Sequence, residues 1–133
     1  GWQAAWAPVG ADGYPKPLWD KRSGVIDKSV ADAMRTNGYD LRDYVERNWA
    51  TIGPRLVGKL HVAVGDMDNY FLNLGVYRFE TFLESTREPG KGPYYAGKFD
   101  YGRPLKPHGW QPWTNQELLR IMDEQVKRNA PRP

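Results

Sequence analysis

Two carboxylates and one imidazole in this chain have the types and setting for proton-transfer chemistry. Asp66 and Asp68 lie in the stretch Gly58 to Asn69, GKLHVAVGDMDN, and His108 lies in the stretch Gly102 to Trp113, GRPLKPHGWQPW. A carboxylate beside a histidine holds the imidazole in one tautomer and stabilises it once protonated, which is the orienting half of a nucleophilic triad. Each residue also has a plainer use. Asp68 or Asn69 can cap the helix that follows by accepting hydrogen bonds from its free N–H groups, and His108 can be a loop histidine packed against Trp110 or Trp113.

The chemistry therefore depends on elements that bring two distant loops together. Leu60, Val62 and Val64 alternate with His61 and Ala63, and Gly65 ends the run, so the stretch reads as a short buried strand with both aspartates just past its C-terminal end. Tyr70 to Ser85 follows as the strongest helix, with Leu72, Val76, Phe79 and Leu83 on one side and Phe71, Leu74 and Phe82 widening the face for a sheet. REPGKGP, Arg87 to Pro93, is a turn region, and Tyr94 to Tyr101 alternates as a second strand. Strand, helix and strand in that order predict a right-handed βαβ unit with parallel strands. Its two C-terminal loops then present Asp68 and His108 on one edge of the sheet, where open α/β sheets bind ligands.

The remaining elements are read more simply. Trp2 to Pro8 is an apolar run that fits a buried strand. Val9 to Gly24, rich in proline and glycine, predicts an extended ordered loop pinned by Tyr14 and Trp19. Val25 to Thr36 has helical spacing and ends at Asn37 and Gly38. Asp40 is a plausible N-cap for a second helix carrying Leu41, Tyr44, Val45, Trp49 and Ile52, stopped by Gly53 and Pro54, and the two helices are expected to pack as a hairpin. Thr114 and Glu117 form a capping box for a terminal helix carrying Leu118, Leu119, Ile121, Met122 and Val126, before a polar end from Asn129 to Pro133.

With 133 residues the chain fits one domain, 1–133, arranged as a loop-rich arm over 1–24, a helical pair over 25–53 and a βαβα unit over 58–129. The fold class is α/β, a small parallel sheet with flanking helices. A net charge of +3, with basic residues scattered rather than striped, sets nucleic acid aside as a partner. The chain lacks cysteine, which excludes disulfides, thiol nucleophiles and thiolate metal sites and leaves the compartment open. No apolar run is long enough to span a bilayer, and neither a signal peptide nor a membrane partner is expected in these residues. With two histidines in all, a metal site at His61 is less expected than a satisfied structural histidine, and neither metal nor cofactor is expected. Six Trp and eight Tyr offer flat faces for sugars or other rings. A chain beginning at Gly1 rather than Met is consistent with a processed product or a piece of something longer.

The succession of a strand, VGDMDNYFL, a long apolar helix, a second strand and PHGWQPW before a terminal helix resembles the C-terminal part of esterases of the α/β-hydrolase fold, the group of enterochelin-esterase-like and feruloyl-esterase-like enzymes. The resemblance covers about the last two thirds of the chain. It implies acyl transfer to water, with Asp68, in Gly65-x-x-Asp68, as the catalytic acid and His108, in His108-Gly109-Trp110, as general base and acid. Asp66 is the second choice for the acid. Trp110, Trp113 and Tyr70 would line the pocket, and Arg103 with Lys106 would receive an anionic group. These enzymes also need a serine on a G-x-S-x-G elbow. Here Ser23, Ser29 and Ser85 all lack the flanking glycines, and the first strands of the fold are missing. The nucleophile would then lie outside these residues.

Two other functions stay open. A glycoside hydrolase would use a carboxylate pair drawn from Asp66, Asp68, Asp100, Glu80 and Glu84, although Glu80 and Glu84, one helical turn apart, read most simply as a solvated face. A non-catalytic carbohydrate-binding or assembly domain would bind through its tryptophans. The expected partners are a small-molecule ester or carbohydrate and, because a small sheet has exposed edges, a second copy of the chain or the remainder of a longer one.

Overall fold

The computed structural model describes residues 2–131; Gly1 and the end of the polar tail, Arg132 and Pro133, lie outside the described residues. Seven elements follow one another: α1 (Trp2–Trp6), α2 (Lys28–Thr36), α3 (Leu41–Leu56), β1 (His61–Gly65), α4 (Leu72–Ser85), β2 (Lys98–Gly102) and α5 (Asn115–Asn129). β1 and β2 form a two-stranded parallel sheet in register from His61↔Lys98 to Gly65↔Gly102. The mixed α/β class, the small parallel sheet and the flanking helices are those the sequence pattern implies.

Period-two alternation decides which side of the sheet is covered. Val62 and Val64 share a face with their register partners Phe99 and Tyr101, and α4 lies over that face. Phe79 meets Phe99 edge-on at 6.2 Å, and Tyr77 lies 5.3 Å from Tyr101. The core is centred on Leu83, Tyr95 and Trp49, with Val45, Leu56, Leu60, Phe79, Phe82 and Phe99 packed around them. α3 reaches this core through Trp49, whose indole N–H donates to the Pro93 carbonyl at 3.0 Å. Its packing partner is α4, not α2; α2 and α3 are joined instead by the Arg35–Asp43 ion pair at 3.7 Å.

Several expectations are corrected. Trp2 to Pro8 is not a strand, because its first five residues wind into α1. The arm after it is pinned by short antiparallel bridges, Val9↔Pro15 and Trp19↔Ile26, while Tyr14 is 72% exposed and takes part through its backbone, its carbonyl accepting from the Gly10 N–H at 2.7 Å. The bridge at Ile26 keeps Val25 and Ile26 out of α2, which starts after Asp27, a cap whose carboxylate accepts from the N–H groups of Ser29 and Val30. Gly53 and Pro54 do not stop α3. Proline lacks one donor and crowds the carbonyl four residues back, and at the last turn little ladder remains to be lost. Gly53 is there for space, since a Cβ on it would stand 2.8 Å from the Trp49 ring. The second strand starts later than Tyr94, because Tyr94 and Tyr95 turn into the core and Ala96 takes a left-handed conformation, φ 47°.

Glu80 and Glu84 are not a solvated face either. The Tyr101 hydroxyl donates to Glu80 and the Tyr95 hydroxyl to Glu84, each at 2.6 Å, so one face of α4 is tied to β2 and to the segment before it. Arg87 completes this cluster, bonded to Glu84 at 2.7 Å and to the Tyr94 hydroxyl while stacked over the Tyr94 ring. The capping box of Thr114 and Glu117 starts α5 as expected, but α5 buries no residue fully.

Candidate functional site

The site grows from the C-terminal ends of both strands. After Gly65 the chain turns sharply at Asp68, whose Oδ1 accepts from the Tyr70 N–H at 2.8 Å while its carbonyl accepts from the Phe71 N–H at 2.9 Å. This is the local turn an aspartate stabilises through its own carboxylate. Phe71 is thereby forced into the left-handed region, φ 59°, and α4 starts there without a side-chain cap. Neither Asp68 nor Asn69 is the N-cap residue. The start of the helix instead acts on the aspartate electrostatically, the Leu72 N–H favouring its charged form.

The second loop is laid over the first by glycines. A Cβ on Gly65 would overlap the carbonyl oxygens of Lys106 and Pro107, and one on its register partner Gly102 would overlap the Trp110 ring. With no side chain at either place, the segment from Lys106 to Trp110 passes directly over the strand ends. Asp66 secures it: Oδ1 accepts from the Lys106 N–H at 2.9 Å, and the Lys106 carbonyl accepts from the Met67 N–H at 3.0 Å. The His108 N–H donates to Asn69 Oδ1 at 3.3 Å.

His108 Nδ1 consequently lies 2.9 Å from Asp68 Oδ2. Asp68 is 5% exposed, whereas 46% of the imidazole surface remains open. Burial raises the Asp68 carboxyl pKa, but the hydrogen bond from His108, the N–H of Tyr70, the imidazole's charge and the N–H of Leu72 outweigh it and hold the group below the ordinary carboxylate range. An ionised carboxylate only accepts hydrogen bonds, so Nδ1 carries the proton and Nε2 is left as the basic nitrogen. Tyr70 meets the imidazole edge-on, ring centroids 4.8 Å apart and planes at 77°, which limits rotation of the ring. The arrangement can accept a proton at Nε2 and stabilise the resulting imidazolium.

The other candidate residues are placed differently. Asp66 is engaged by the backbone of the histidine loop and sits beside Lys106, not at the imidazole. Trp110 packs over Gly102. Trp113 does not join this group. It lines a cavity of about 320 Å³ with Lys59, His61, Leu118, Ile121 and Met122, at the start of β1, the opposite end from Asp68. The Arg103 guanidinium lies over the Tyr101 ring at 5.1 Å. Asp100 Oδ1 is bonded to Lys98 at 2.9 Å, while its Oδ2 is buried without a partner. The three serines spend their hydroxyls locally, Ser23 on Asp20, Ser29 on Asp27 and Ser85 on the Phe82 carbonyl.

Sequence reasoning missed the two glycines as the seat of the histidine loop. Their signal is a glycine at the last position of each strand. It also missed the loop-bridging acceptors Asp66 and Asn69, for which the sequence carries no signal, since their partners are backbone N–H groups of a loop far along the chain. Among the described residues no group of three or more histidines and carboxylates is gathered to hold a metal ion, and no helix is long and apolar enough to cross a membrane. No family model, no curated protein and no solved structure matches the chain.

Proposed function

We propose that this chain carries the acid and the imidazole of an esterase-type hydrolase, in the manner of the α/β-hydrolase enzymes its C-terminal two thirds resemble. The observation that carries the reading is the contact of 2.9 Å between the buried carboxylate of Asp68 and a half-exposed His108 whose Nε2 makes no hydrogen bond among the described residues. In this reaction Nε2 takes the proton of a serine hydroxyl as that oxygen attacks the ester carbonyl, Asp68 stabilises the imidazolium, and the proton passes on to the leaving alcohol. The serine comes from outside these residues, in line with the local engagement of Ser23, Ser29 and Ser85. Tyr70 and Trp110 are the ring-bearing neighbours of the imidazole loop and would border the bound ester.

The test is hydrolysis of aryl esters and aryl glycosides by the product of the full coding sequence that contains these residues. Ester hydrolysis is expected, falling about 10⁴-fold or more in His108→Ala and about 10⁴-fold in Asp68→Asn. Glycoside turnover without ester turnover, or ester turnover untouched by His108→Ala, would overturn the reading.

A further inference from the structure

Asp66 is the carboxylate nearest Asp68 in sequence, yet its bonds have another character. Its N–H donates to the Gly102 carbonyl at 3.0 Å, which prolongs the pairing of β1 with β2 by one step. Its carbonyl accepts from Asn73 Nδ2 at 3.2 Å, and Asn73 is itself buried in the first turn of α4. Its Oδ1 accepts from the Lys106 N–H at 2.9 Å, and the next residue, Met67, donates back to the Lys106 carbonyl at 3.0 Å. One residue thus joins the end of β1, the end of β2, the start of α4 and the backbone two residues before His108. Side-chain acceptance from a loop N–H substitutes for a ladder bond at the point where the strands have run out.

From this geometry we infer that Asp66 is the positioning residue of the Asp68–His108 pair: it acts as a hydrogen-bond acceptor that fixes the histidine loop over the strand ends and so sets the distance from Nδ1 to Asp68. Its meaning for catalysis rests on the function proposed above, but the clamp has consequences that can be read without turnover. Asp66 does not carry the proton-transfer role. The acceptor oxygen is what matters, and the negative charge is not.

The experiment is proton and nitrogen NMR of the whole chain. A ring N–H held by a carboxylate resonates far downfield and exchanges slowly, and its absence in His108→Ala assigns it. In Asp66→Asn, which keeps an acceptor oxygen at the same place, this resonance should persist. In Asp66→Ala it should disappear while the ladder amides of β1 and β2 remain protected. In the unsubstituted chain the Lys106 amide should be protected from exchange with solvent. Persistence of the ring resonance in Asp66→Ala, its loss from a folded Asp66→Asn, or free exchange of the Lys106 amide would each overturn the clamp. Should Asp66→Ala not fold, Asp66→Asn and the Lys106 amide decide. A full-length product that keeps this pattern but hydrolyses no ester would remove the proposed reaction and leave the clamp standing.

Discussion

Gly65 and Gly102 are register partners at the last step of the parallel sheet, and the segment carrying His108 lies on both. The two contacts differ in kind. Over Gly65 stand backbone carbonyls of Lys106 and Pro107; over Gly102 stands the ring of Trp110. Backbone yields less readily than a side chain. Gly65→Ala is therefore expected to cost at least the usual overpacking penalty, about 1–3 kcal/mol, and to abolish the downfield His108 resonance. Gly102→Ala should cost less, because Trp110 can swing aside. Urea denaturation of both variants with the ring spectrum checks this; equal costs, or the reverse order, would show that the loop does not rest on these glycines.

Acid should act on the site through Asp68. Its carboxyl pKa is lowered on folding from an ordinary value of 3.8, so the folded form binds the proton less readily than the unfolded one. Stability from this group is fully present above the unfolded value and is lost as pH falls through the folded one. Asp68→Asn should flatten the acid limb of the stability curve in that window. An acid limb identical in the two proteins would mean that the aspartate gains nothing from its partners.

At Gly53 two effects of opposite sign compete. Alanine in place of a helical glycine ordinarily stabilises by about 1 kcal/mol. Here the added methyl would stand 2.8 Å from the Trp49 ring, four residues earlier on the same helix, and that ring is 3% exposed and bonded to Pro93. A close-packed ring cannot retreat, so Gly53→Ala should destabilise. In a Trp49→Leu background the same change should become neutral or favourable. A double-mutant cycle measures the coupling, and additivity within error would refute the steric account.

Alkaline titration should separate the tyrosines. Burial first, then the hydrogen bond and charge of Glu84 for Tyr95 and of Glu80 for Tyr101, push both phenols well above their ordinary 10.0. A raised folded pKa means that stability is fully present below the unfolded value and is lost as pH rises through the folded one. Of eight tyrosines, these two should stay protonated until the fold gives way, as read by phenolate absorbance. Tyr95→Phe and Tyr101→Phe should each remove one late-ionising group; full ionisation before unfolding would contradict the pairing with α4.

The parts of the fold that were legible in the sequence are those fixed by local pattern. The alternation of Val62 and Val64, the apolar stripe of α4 and the capping box at Thr114 all name their own structure. The order of strand, helix and strand then implies parallel pairing, which is why a bond between loops so far apart could be anticipated at all. The exceptions share a cause, since each involves a partner distant in sequence or a demand for space. Ile26 is held extended by Trp19, Gly53 makes room for Trp49, and Glu80 and Glu84 answer hydroxyls on residues after the turn. Trp113 shares a loop with His108 in sequence, yet five residues of chain carry it to the other end of β1.

A parallel pair cannot be closed by a tight turn, so α4, 14 residues long, is the tether that lets β1 find β2. The acid and the base, 40 residues apart, can meet only once that tether has docked and the strands have zipped to their last step. The His108 ring proton therefore reports closure of the sheet as much as the state of the site.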